Sequence, residues 1–288
     1  MNTAPNARIM QQKVFHMYLD NFRYKKSLGQ NFLIDKPTAI IESELARGRN
    51  VVELGPGAGA LTAELCKTAS RILAIEIDGR LFTYLNESLH CNKLKLVNSD
   101  FFKLDRSSFA GYDMLVSNVP YHLSGRVLSW IIDNRMEAVL CLQEEFVDHM
   151  RALPNTSRYT NLSVFCSLFL SIEEIAKVPA SYFRPVPKVA SKVVHIRIKD
   201  SRADKETMRI IAQIMVHKKK RLKNAVMDSR KALGLDKGAL DQLLGSIPNA
   251  DSRPFQLQPG SILESAEYIK EELERTATRK PGAHQNGE

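Results

Sequence analysis

The sequence feature that most constrains the fold is a strand that runs directly into a glycine-rich loop and then into a helix. Asn50–Leu54 is an apolar run typical of a buried strand, residues 55–59 have the sequence Gly-Pro-Gly-Ala-Gly, and residues 60–66 have helical periodicity. Glycines permit tight backbone geometry and close approach of a ligand, and a helix N-terminus offers N–H groups. This order predicts the first βα unit of a nucleotide-binding fold.

Further predicted strands and helices alternate along the chain after this unit. Apolar runs at 71–77, 93–97, 114–117 and 138–142 are typical of buried strands, and helical segments separate them. Segments 171–178 and 189–198 alternate apolar and polar residues, which predicts a pair of antiparallel strands. The spacing predicts an α/β fold with a doubly wound, Rossmann-like sheet.

A helix is also predicted before the glycine loop. Asp35 is suited to cap it, Pro37 lies in its first turn, and the helix should run to about residue 46. Ile40, Ile41 and Leu45 fall on one face of this helix.

The chain is predicted to contain two domains and two flexible ends. Its 288 residues suit one large domain and a small one, with a polar break at 200–204. We expect the α/β domain at 25–200 and a small C-terminal all-helical domain at 205–275, with helices at 208–216, 221–233, 237–244 and 259–273. Residues 1–24 are predicted to be a flexible basic arm. Residues 276–288 are predicted to be a disordered tail, because they lack apolar side chains that could dock them.

The chain carries a net charge of +9, and its basic residues are clustered. Clusters occur at 23–26, around the proline-rich loop at 179–188, and most densely at 217–223. Because basic side chains attract a polyanion, three such clusters indicate a nucleic-acid partner.

The composition argues against several other classes of protein. No apolar run is long enough to span a bilayer and the N-terminus has no apolar signal-peptide core, so we expect a cytoplasmic protein with no membrane partner. The cysteines lie far apart and form no CxxC pair, which argues against a zinc site and a disulfide framework; no metal is expected. They are Cys66, Cys91, Cys141 and Cys166.

Ligand-type side chains follow three successive predicted strands. Glu76 ends the second strand, Asp100 follows the third and Asn118 ends the fourth. Open α/β sheets bind ligands at the carboxyl ends of their strands, and a carboxylate there can accept both hydroxyls of a ribose. The glycine loop fits both the dinucleotide pattern and that of S-adenosylmethionine methyltransferases. Glu53 beside the loop suits a cationic sulfonium better than a diphosphate.

The segment Asn118-Val-Pro-Tyr121 ends the fourth predicted strand. Pro120 has no backbone donor and fixes φ, and the residue before it favours an extended conformation, so the chain should leave the strand stiffly. The Asn118 side chain and the Pro120 carbonyl should then lie near each other, beside the ring of Tyr121. Two acceptors and an aromatic ring could bind a flat base that carries an amino group. The simpler interpretation is a strand end with a turn.

Five motifs, in their order and spacing, resemble the small-subunit ribosomal RNA adenine dimethyltransferase family, and in particular its archaeal-like branch. They are Gly29-Gln-Asn-Phe-Leu33, Glu53-Leu-Gly-Pro-Gly57, Glu76-Ile-Asp78, Asn118-Val-Pro-Tyr121 and Phe183-Arg-Pro-Val-Pro-Lys-Val189. The resemblance covers roughly residues 25–200 and is weaker in the helical tail. Val119 stands where the family usually has Leu or Ile. Thr160-Asn161 replaces a common Gly-Arg pair, which puts local substrate contacts in doubt.

The resemblance implies an enzyme that uses S-adenosylmethionine to dimethylate the exocyclic amines of two adjacent adenines near the 3′ end of small-subunit rRNA, a step of ribosome biogenesis. The expected partner is this rRNA or the pre-ribosomal small subunit, bound by a monomer. The expected site residues fall into two groups. The cofactor would be bound by Asn31, Leu33, Gly55, Glu76, Asp100 and Asn118, and the adenine by Asn118, Pro120, Tyr121 and Phe183.

Two other functions stay open. A DNA adenine methyltransferase has an Asn/Asp-Pro-Pro-Tyr type motif. A non-catalytic ribosome-assembly or transcription factor could keep the fold as an RNA-binding module. Intact Asn118, Tyr121 and Glu76 argue against a loss of activity. An NAD-dependent enzyme is disfavoured, because nothing in the sequence offers a base for hydride transfer.

Overall fold

The computed structural model describes residues 19–235 and 237–278. The predicted arm at 1–24 therefore lies largely outside the described residues, as does the predicted tail beyond residue 278. The chain forms two compact units, one made of residues up to 147 together with 172–198, the other of 148–171 together with residues from 199 onwards. Residues 148–171 thus group with the second unit, whereas the sequence placed them inside a domain at 25–200. The division into independently folding domains stays a prediction.

The first unit is built on a mixed sheet of seven strands in the order β4-β3-β2-β5-β6-β9-β7. Strands β2 to β6 pair in parallel with their neighbours, and β9 is antiparallel to β6. The strands are β2 (Asn50–Leu54), β3 (Arg71–Glu76), β4 (Leu94–Asn98), β5 (Met114–Asn118), β6 (Glu137–Gln143), β7 (Leu170–Val178) and β9 (Ser191–Ile198). The predicted α/β, doubly wound class is confirmed.

The strand order reverses beside β2. The chain proceeds from β2 to β3 and β4 on one side, then returns to place β5 on the other side of β2. The helices that follow these strands therefore lie on opposite faces of the sheet, which opens a crevice at the strand carboxyl ends between β2 and β5.

Between residues 36 and 150 the described chain contains helices before and after the strands of the sheet, and the first of them lies where it was predicted. They are α1 (Lys36–Leu45), α2 (Ala60–Thr68), α3 (Gly79–Ser88), α4 (Ser124–Asp133) and α5 (Glu144–Met150). Asp35 caps α1 as expected, because its carboxylate accepts a hydrogen bond from the Thr38 backbone N–H at 2.9 Å.

The buried face of α1 is not the one that its isoleucines mark. Ile40 and Ile41 are each 39% exposed, whereas Ala39, Glu42 and Ser43 are buried. A glutamate therefore occupies a core-facing position that apolar periodicity would assign to an isoleucine.

The glycine loop after β2 depends on backbone conformations that favour glycine. Gly55, Gly57 and Gly59 all have positive φ, and Gly59 is the left-handed residue that begins α2. A Cβ at Gly57 would lie 2.8 Å from the ring of Phe32, so the loop is in close contact with the segment that precedes α1.

That preceding segment is held on the glycine loop by a short sheet and an aromatic cluster. Strand β1 (Phe32–Leu33) pairs in antiparallel fashion with β8 (Phe183–Arg184), which lies in the predicted proline-rich loop. The rings of Phe22, Tyr24 and Phe32 have centroids 5.6 Å apart, and Phe32 packs with buried Leu19, Ala58 and Leu81. Phe32 and Leu33 thus pack inwards.

The second unit contains helices around a separate apolar core. Its helices are α6 (Asn161–Phe169), α7 (Lys205–Val216), α8 (Leu222–Asp228), α9 (Arg230–Leu233), α10 (Lys237–Leu244) and α11 (Pro259–Thr278). Ile210, Ile214, Ile262 and Ile269 are fully buried in this core. The single helix predicted at 221–233 is interrupted at Ser229, and the last helix continues five residues beyond its predicted end at 273. The described residues from 199 onwards contain no strand, in agreement with the predicted helical C-terminal part.

A test of the glycine loop is the substitution Gly59→Ala. The residue has a φ of +88°, and a Cβ there would lie 2.6 Å from Leu85 Cδ2, so we expect the free energy of unfolding to fall by about 1–3 kcal/mol. Urea denaturation measures it. Gly125→Ala is the matched control, because its Cβ would meet no atom within 4 Å. A Gly59→Ala protein as stable as the wild type would contradict this account of the loop.

Candidate active site

A cavity of about 270 Å³ lies at the carboxyl ends of β2, β3 and β5. Every sequence-predicted site residue lines it except Leu33, and these residues are Asn31, Gly55, Glu76, Asp100, Asn118, Pro120, Tyr121 and Phe183. Leu33 lines an adjoining cavity of about 30 Å³, together with Asn31, Glu53, Gly55 and Asn118. The fold thus brings all the predicted site residues to these two cavities at the carboxyl ends of the strands.

Glu76 ties the glycine loop to the end of β3. Its two carboxylate oxygens accept hydrogen bonds from the backbone N–H groups of Gly57, at 3.0 Å, and Asp78, at 2.8 Å. Burial raises the pKa of Glu76 to about 7, although these N–H groups oppose the shift. Each oxygen keeps a further lone pair, so Glu76 can also accept from a ligand hydroxyl.

Asp100 and the residues around it shape the cavity beyond β3 and β4. The Asp100 carboxylate accepts from the Phe102 backbone N–H at 3.0 Å and begins a short 3₁₀ turn, Phe101–Lys103. Ile77 lines the same part of the cavity and is 51% exposed, which is unusual for an isoleucine at a buried strand end. An exposed apolar side chain beside a free carboxylate oxygen can bind a flat heterocycle that carries an amino group.

Asn118 presents an acceptor to the cavity. Its Nδ2 donates a hydrogen bond to Glu42 Oε2 at 3.1 Å, and its Oδ1 is buried without a hydrogen-bond partner in the structure. A buried acceptor without a donor is costly, and such groups are rare in folded proteins. Asn118 Oδ1 is therefore available to a donor that enters the cavity.

Two buried glutamates stand beside this asparagine. Burial raises the pKa of Glu42 to about 8 and that of Glu53 to about 8, and each lies near another acid, Glu53 and Glu76 respectively, which adds to the shift. Glu42 Oε1 and Glu53 Oε2 have no hydrogen-bond partner. Sequence reasoning placed Glu53 at the loop but missed Glu42, because nothing in the sequence shows that this position of α1 faces the core.

Pro120 and Tyr121 line the cavity together with Asn118, and each already makes a hydrogen bond within the protein. The Pro120 carbonyl accepts a hydrogen bond from the Leu123 backbone N–H at 2.8 Å, so one of its two lone pairs is already used. The Tyr121 hydroxyl shares a hydrogen bond with Ser191 Oγ at 3.0 Å, and burial raises the Tyr121 pKa. This contact with β9 fixes the ring at the cavity wall.

Phe183 is buried rather than free at the cavity mouth. It is 3% exposed and pairs with Leu33 across the β1–β8 sheet, while its side chain lines the cavity. The aromatic residue beside it, Tyr182, is 38% exposed.

The segment that covers the glycine loop is fastened by a buried aspartate. Asp78 accepts hydrogen bonds from Gln30 Nε2 at 3.1 Å and from Arg80 Nη2 at 2.6 Å, and Lys25 lies 3.4 Å away. Mainly because of Arg80, the pKa of Asp78 is held well below its usual range. The ionised Asp78 thus holds residues 25–30 against the end of β3, with Asn31 at the cavity.

Two cationic or titratable side chains at the cavity were not identified from the sequence. The Arg126 guanidinium lies over the Phe102 ring, 3.9 Å from its centroid. His122 lines the cavity and packs so closely on Gly29 that a Cβ there would lie 2.8 Å from His122 Nδ1. Neither residue belongs to a sequence motif that could have placed it at the cavity.

The site fits S-adenosylmethionine on three structural observations. No atom lies within 4 Å of the position a Gly55 Cβ would take, so the backbone is open to a ligand there. Glu76 and Asp100 offer acceptor oxygens at neighbouring strand ends, and Ile77 offers an apolar face. Glu53 adds a buried carboxyl near the glycine loop, with an oxygen that has no partner and can accept a hydrogen bond from a ligand. Among the described residues, no cluster of His, Cys, Asp and Glu is placed to hold a metal ion.

This fold and site define a Rossmann-like methyltransferase, and comparison with known proteins identifies its family. A family model described as ribosomal RNA adenine dimethylase matches residues 21–242. The chain belongs to this family; it is a methyltransferase, and its cofactor is S-adenosylmethionine.

Curated relatives agree with this assignment. The probable ribosomal RNA small subunit methyltransferase A of Thermococcus gammatolerans is 33% identical over 270 residues, which cover 91% of this chain and 95% of the relative. The protein of the same name from Methanococcus maripaludis is 33% identical over 87% of this chain and 100% of its own length.

Two solved structures share the fold. A dimethyladenosine transferase from Plasmodium falciparum has a TM-score of 0.69 and 23% identity, covering 82% of this chain and 95% of its own. The 23S rRNA methyltransferase ErmE has a TM-score of 0.59 and 24% identity, and the match covers 83% of this chain and 99% of ErmE. At these identities the likeness extends to the fold alone.

The buried acids make stability depend on pH. The pKa of Glu53 is about 8 in the folded protein and 4.5 in an exposed glutamate. Between pH 4.5 and about pH 8 the folded protein therefore holds a proton on Glu53 that the unfolded chain has released. The free energy of unfolding should therefore fall as pH rises from about 5 to 8. Glu53→Gln should reduce that slope by up to about 1 kcal/mol per pH unit.

Urea denaturation at pH 5.5 and pH 8 measures the slope. Glu87→Gln, at an exposed position of α3, is the control and should leave the slope unchanged. An unchanged slope in Glu53→Gln would show that Glu53 is ionised in the folded protein at neutral pH.

Proposed function

We propose that this chain transfers methyl groups from S-adenosylmethionine to the exocyclic amines of two adjacent adenines near the 3′ end of small-subunit rRNA. The observation that carries the proposal is Asn118 Oδ1, a buried acceptor without a partner at the cavity. Family membership and the names of the relatives support the RNA substrate.

The cofactor would lie along the strand ends on one side of the crevice. Glu76 is suited to accept from the ribose hydroxyls, Asp100 from the adenine amino group, and the Gly55 backbone permits close approach of the ligand. Asn31 and Leu33 line the small cavity that adjoins this side, where they would contact the cofactor. The cofactor supplies an electrophilic methyl group on a sulfonium.

The target adenine would be held on the other side by Asn118 and Pro120. An adenine amine is a poor nucleophile, because its lone pair is delocalised into the ring. The two N–H groups of the amine can donate hydrogen bonds, one to Asn118 Oδ1 and one to the remaining lone pair of the Pro120 carbonyl. These two hydrogen bonds favour a tetrahedral nitrogen with a localised lone pair. Catalysis then consists mainly of proximity and orientation.

Two aromatic residues are placed to hold the base itself. Tyr121, fixed by Ser191, is suited to stack on the adenine, and Phe183 is suited to contact its other face. Stacking contributes roughly 1–3 kcal/mol per base. The adenine must leave its RNA stack to reach the cavity, as bases do in other base-modifying enzymes.

The partner we propose is the pre-ribosomal small subunit or its rRNA, bound by a monomer in the cytoplasm. The net charge of +9 favours association with RNA phosphates, and the affinity should fall as salt is added. No helix within the described part of the chain has the length and apolar character needed to cross a membrane.

The central residue can be tested with Asn118→Ala. We expect methyl transfer to small-subunit particles to fall at least 100-fold, because the amine loses the acceptor that orients it. Cofactor affinity should change by less than tenfold. Transfer of labelled methyl groups and calorimetric binding measure the two quantities.

Asn50→Ala is the matched control. Asn50 begins β2, at the end of the strand opposite to the cavity, and its side chain donates a hydrogen bond to the Gly111 carbonyl there. Full activity of Asn118→Ala would remove Asn118 from the mechanism. Transfer by the wild type to duplex DNA, but not to small-subunit particles, would instead identify a DNA adenine methyltransferase.

The role of Phe183 is best tested with leucine. Truncation to alanine would leave a cavity in the core and cost roughly 3–5 kcal/mol. Phe183→Leu keeps most of the volume but removes the ring, so we expect about a tenfold slower transfer at unchanged cofactor affinity. Phe109→Leu is the control, because Phe109 is also buried and does not line the cavity. An unchanged rate would leave Phe183 as a packing residue.

A further inference from the structure

Glu42 is a buried glutamate at a core-facing position of α1. It is 1% exposed on α1, while the neighbouring Ile40 and Ile41 on the same helix are each 39% exposed. Burying a carboxyl group in place of an isoleucine costs free energy unless the group is fully hydrogen-bonded. Since Glu42 Oε1 has no hydrogen-bond partner, folding alone does not account for this arrangement.

The hydrogen bond that Glu42 does make is to the proposed adenine-binding residue. Its Oε2 accepts from Asn118 Nδ2 at 3.1 Å. The donor end of the amide is thereby turned towards α1, and the acceptor end, Oδ1, is left buried and without a partner on a residue that lines the cavity. If the amide turned over beside the ionised carboxylate, two acceptor oxygens would face each other. In either charge state of Glu42, the turned amide would present a donor to a group that is itself a donor.

We propose that Glu42 is a positioning residue for methyl transfer, which holds the Asn118 amide so that Oδ1 faces the adenine amine. The inference rests on the proposed function of Asn118. It adds a residue outside the motifs that define the family resemblance, and that residue acts through Asn118 without touching substrate or cofactor.

The charge state of Glu42 gives this role a measurable signature. Glu53 on β2 is the acid that raises the pKa of Glu42 electrostatically, and Glu42 in turn raises the pKa of the Cys141 thiol on β6. With burial as the main cause, the pKa of Glu42 is about 8, so the carboxyl is neutral at pH 7 and ionised at pH 9. The ionised form draws the Nδ2 proton more strongly, makes Oδ1 a better acceptor, and favours the positive charge that develops on the amine nitrogen.

Two substitutions separate positioning from charge. Glu42→Gln keeps an oxygen that can accept from Asn118 Nδ2 but cannot ionise. We expect its kcat at pH 7 to lie within threefold of the wild-type value, and the ratio of wild-type to variant kcat to rise at least threefold between pH 7 and pH 9. Glu42→Leu removes the acceptor, and its kcat should fall at least tenfold at both pH values, with the KM for S-adenosylmethionine within threefold.

The matched control is Glu44→Gln, which makes the same change two residues along α1. Glu44 is exposed and bonds Arg47, so kcat and its pH dependence should equal those of the wild type. All four proteins are compared as full chains, by transfer of labelled methyl groups to small-subunit particles and by their melting temperatures. Because leucine replaces an incompletely bonded buried carboxyl, Glu42→Leu should melt no lower than the wild type.

Several results would overturn the proposal. One is wild-type kcat in Glu42→Leu; another is a lowered melting temperature with equal losses of activity and cofactor binding, which is the result of a structural role. A wild-type to Glu42→Gln ratio that stays constant with pH also contradicts it, and this comparison remains valid if the leucine variant does not fold. Failure of the proposed function is distinct, because the wild type itself would then not methylate the particles.

Discussion

The reversal of strand order beside β2 is the constraint on which the site depends. Because β3 and β5 flank β2, the glycine loop, Glu76 and Asn118 emerge at one crevice. The glycine loop makes the crevice accessible to a ligand, and Glu76 holds that loop by accepting the Gly57 N–H. Because the three strands are parallel, their carboxyl ends lie side by side, and polar side chains that are far apart in sequence meet there.

Electrostatics divides the site into acids that are ionised and acids that are neutral. Asp78 keeps its charge because Arg80 and Gln30 bond it, and it fastens the segment that covers the loop. Glu42 and Glu53 lie deeper and have pKa values of about 8, so at neutral pH they do not repel each other across the crevice. The carboxyl group that fastens the segment over the glycine loop is thus ionised, whereas the two that lie beside Asn118 are neutral.

Local patterns were sufficient to predict the sheet, the glycine loop and the acidic strand ends, because strand length, apolar runs and glycine spacing are local properties. The same patterns could not identify Glu42, since a glutamate next to two isoleucines on α1 gives no sign of which face is buried. They also could not place β8 against β1, a pairing of two-residue strands about 150 positions apart in the chain. The contact of Tyr121 with Ser191 and that of Arg126 with Phe102 depend likewise on tertiary packing.

The central claim is that Asn118 Oδ1 receives the amine of the target adenine while Glu42 holds the other end of the amide. A crystal structure with S-adenosylhomocysteine and an RNA fragment carrying the target adenines tests it most directly. The account predicts the adenine exocyclic nitrogen at about 3 Å from Asn118 Oδ1, with the Asn118 Nδ2 contact to Glu42 retained. An adenine bound with its amine directed away from Asn118, or an Asn118 amide turned over towards the base, would contradict it.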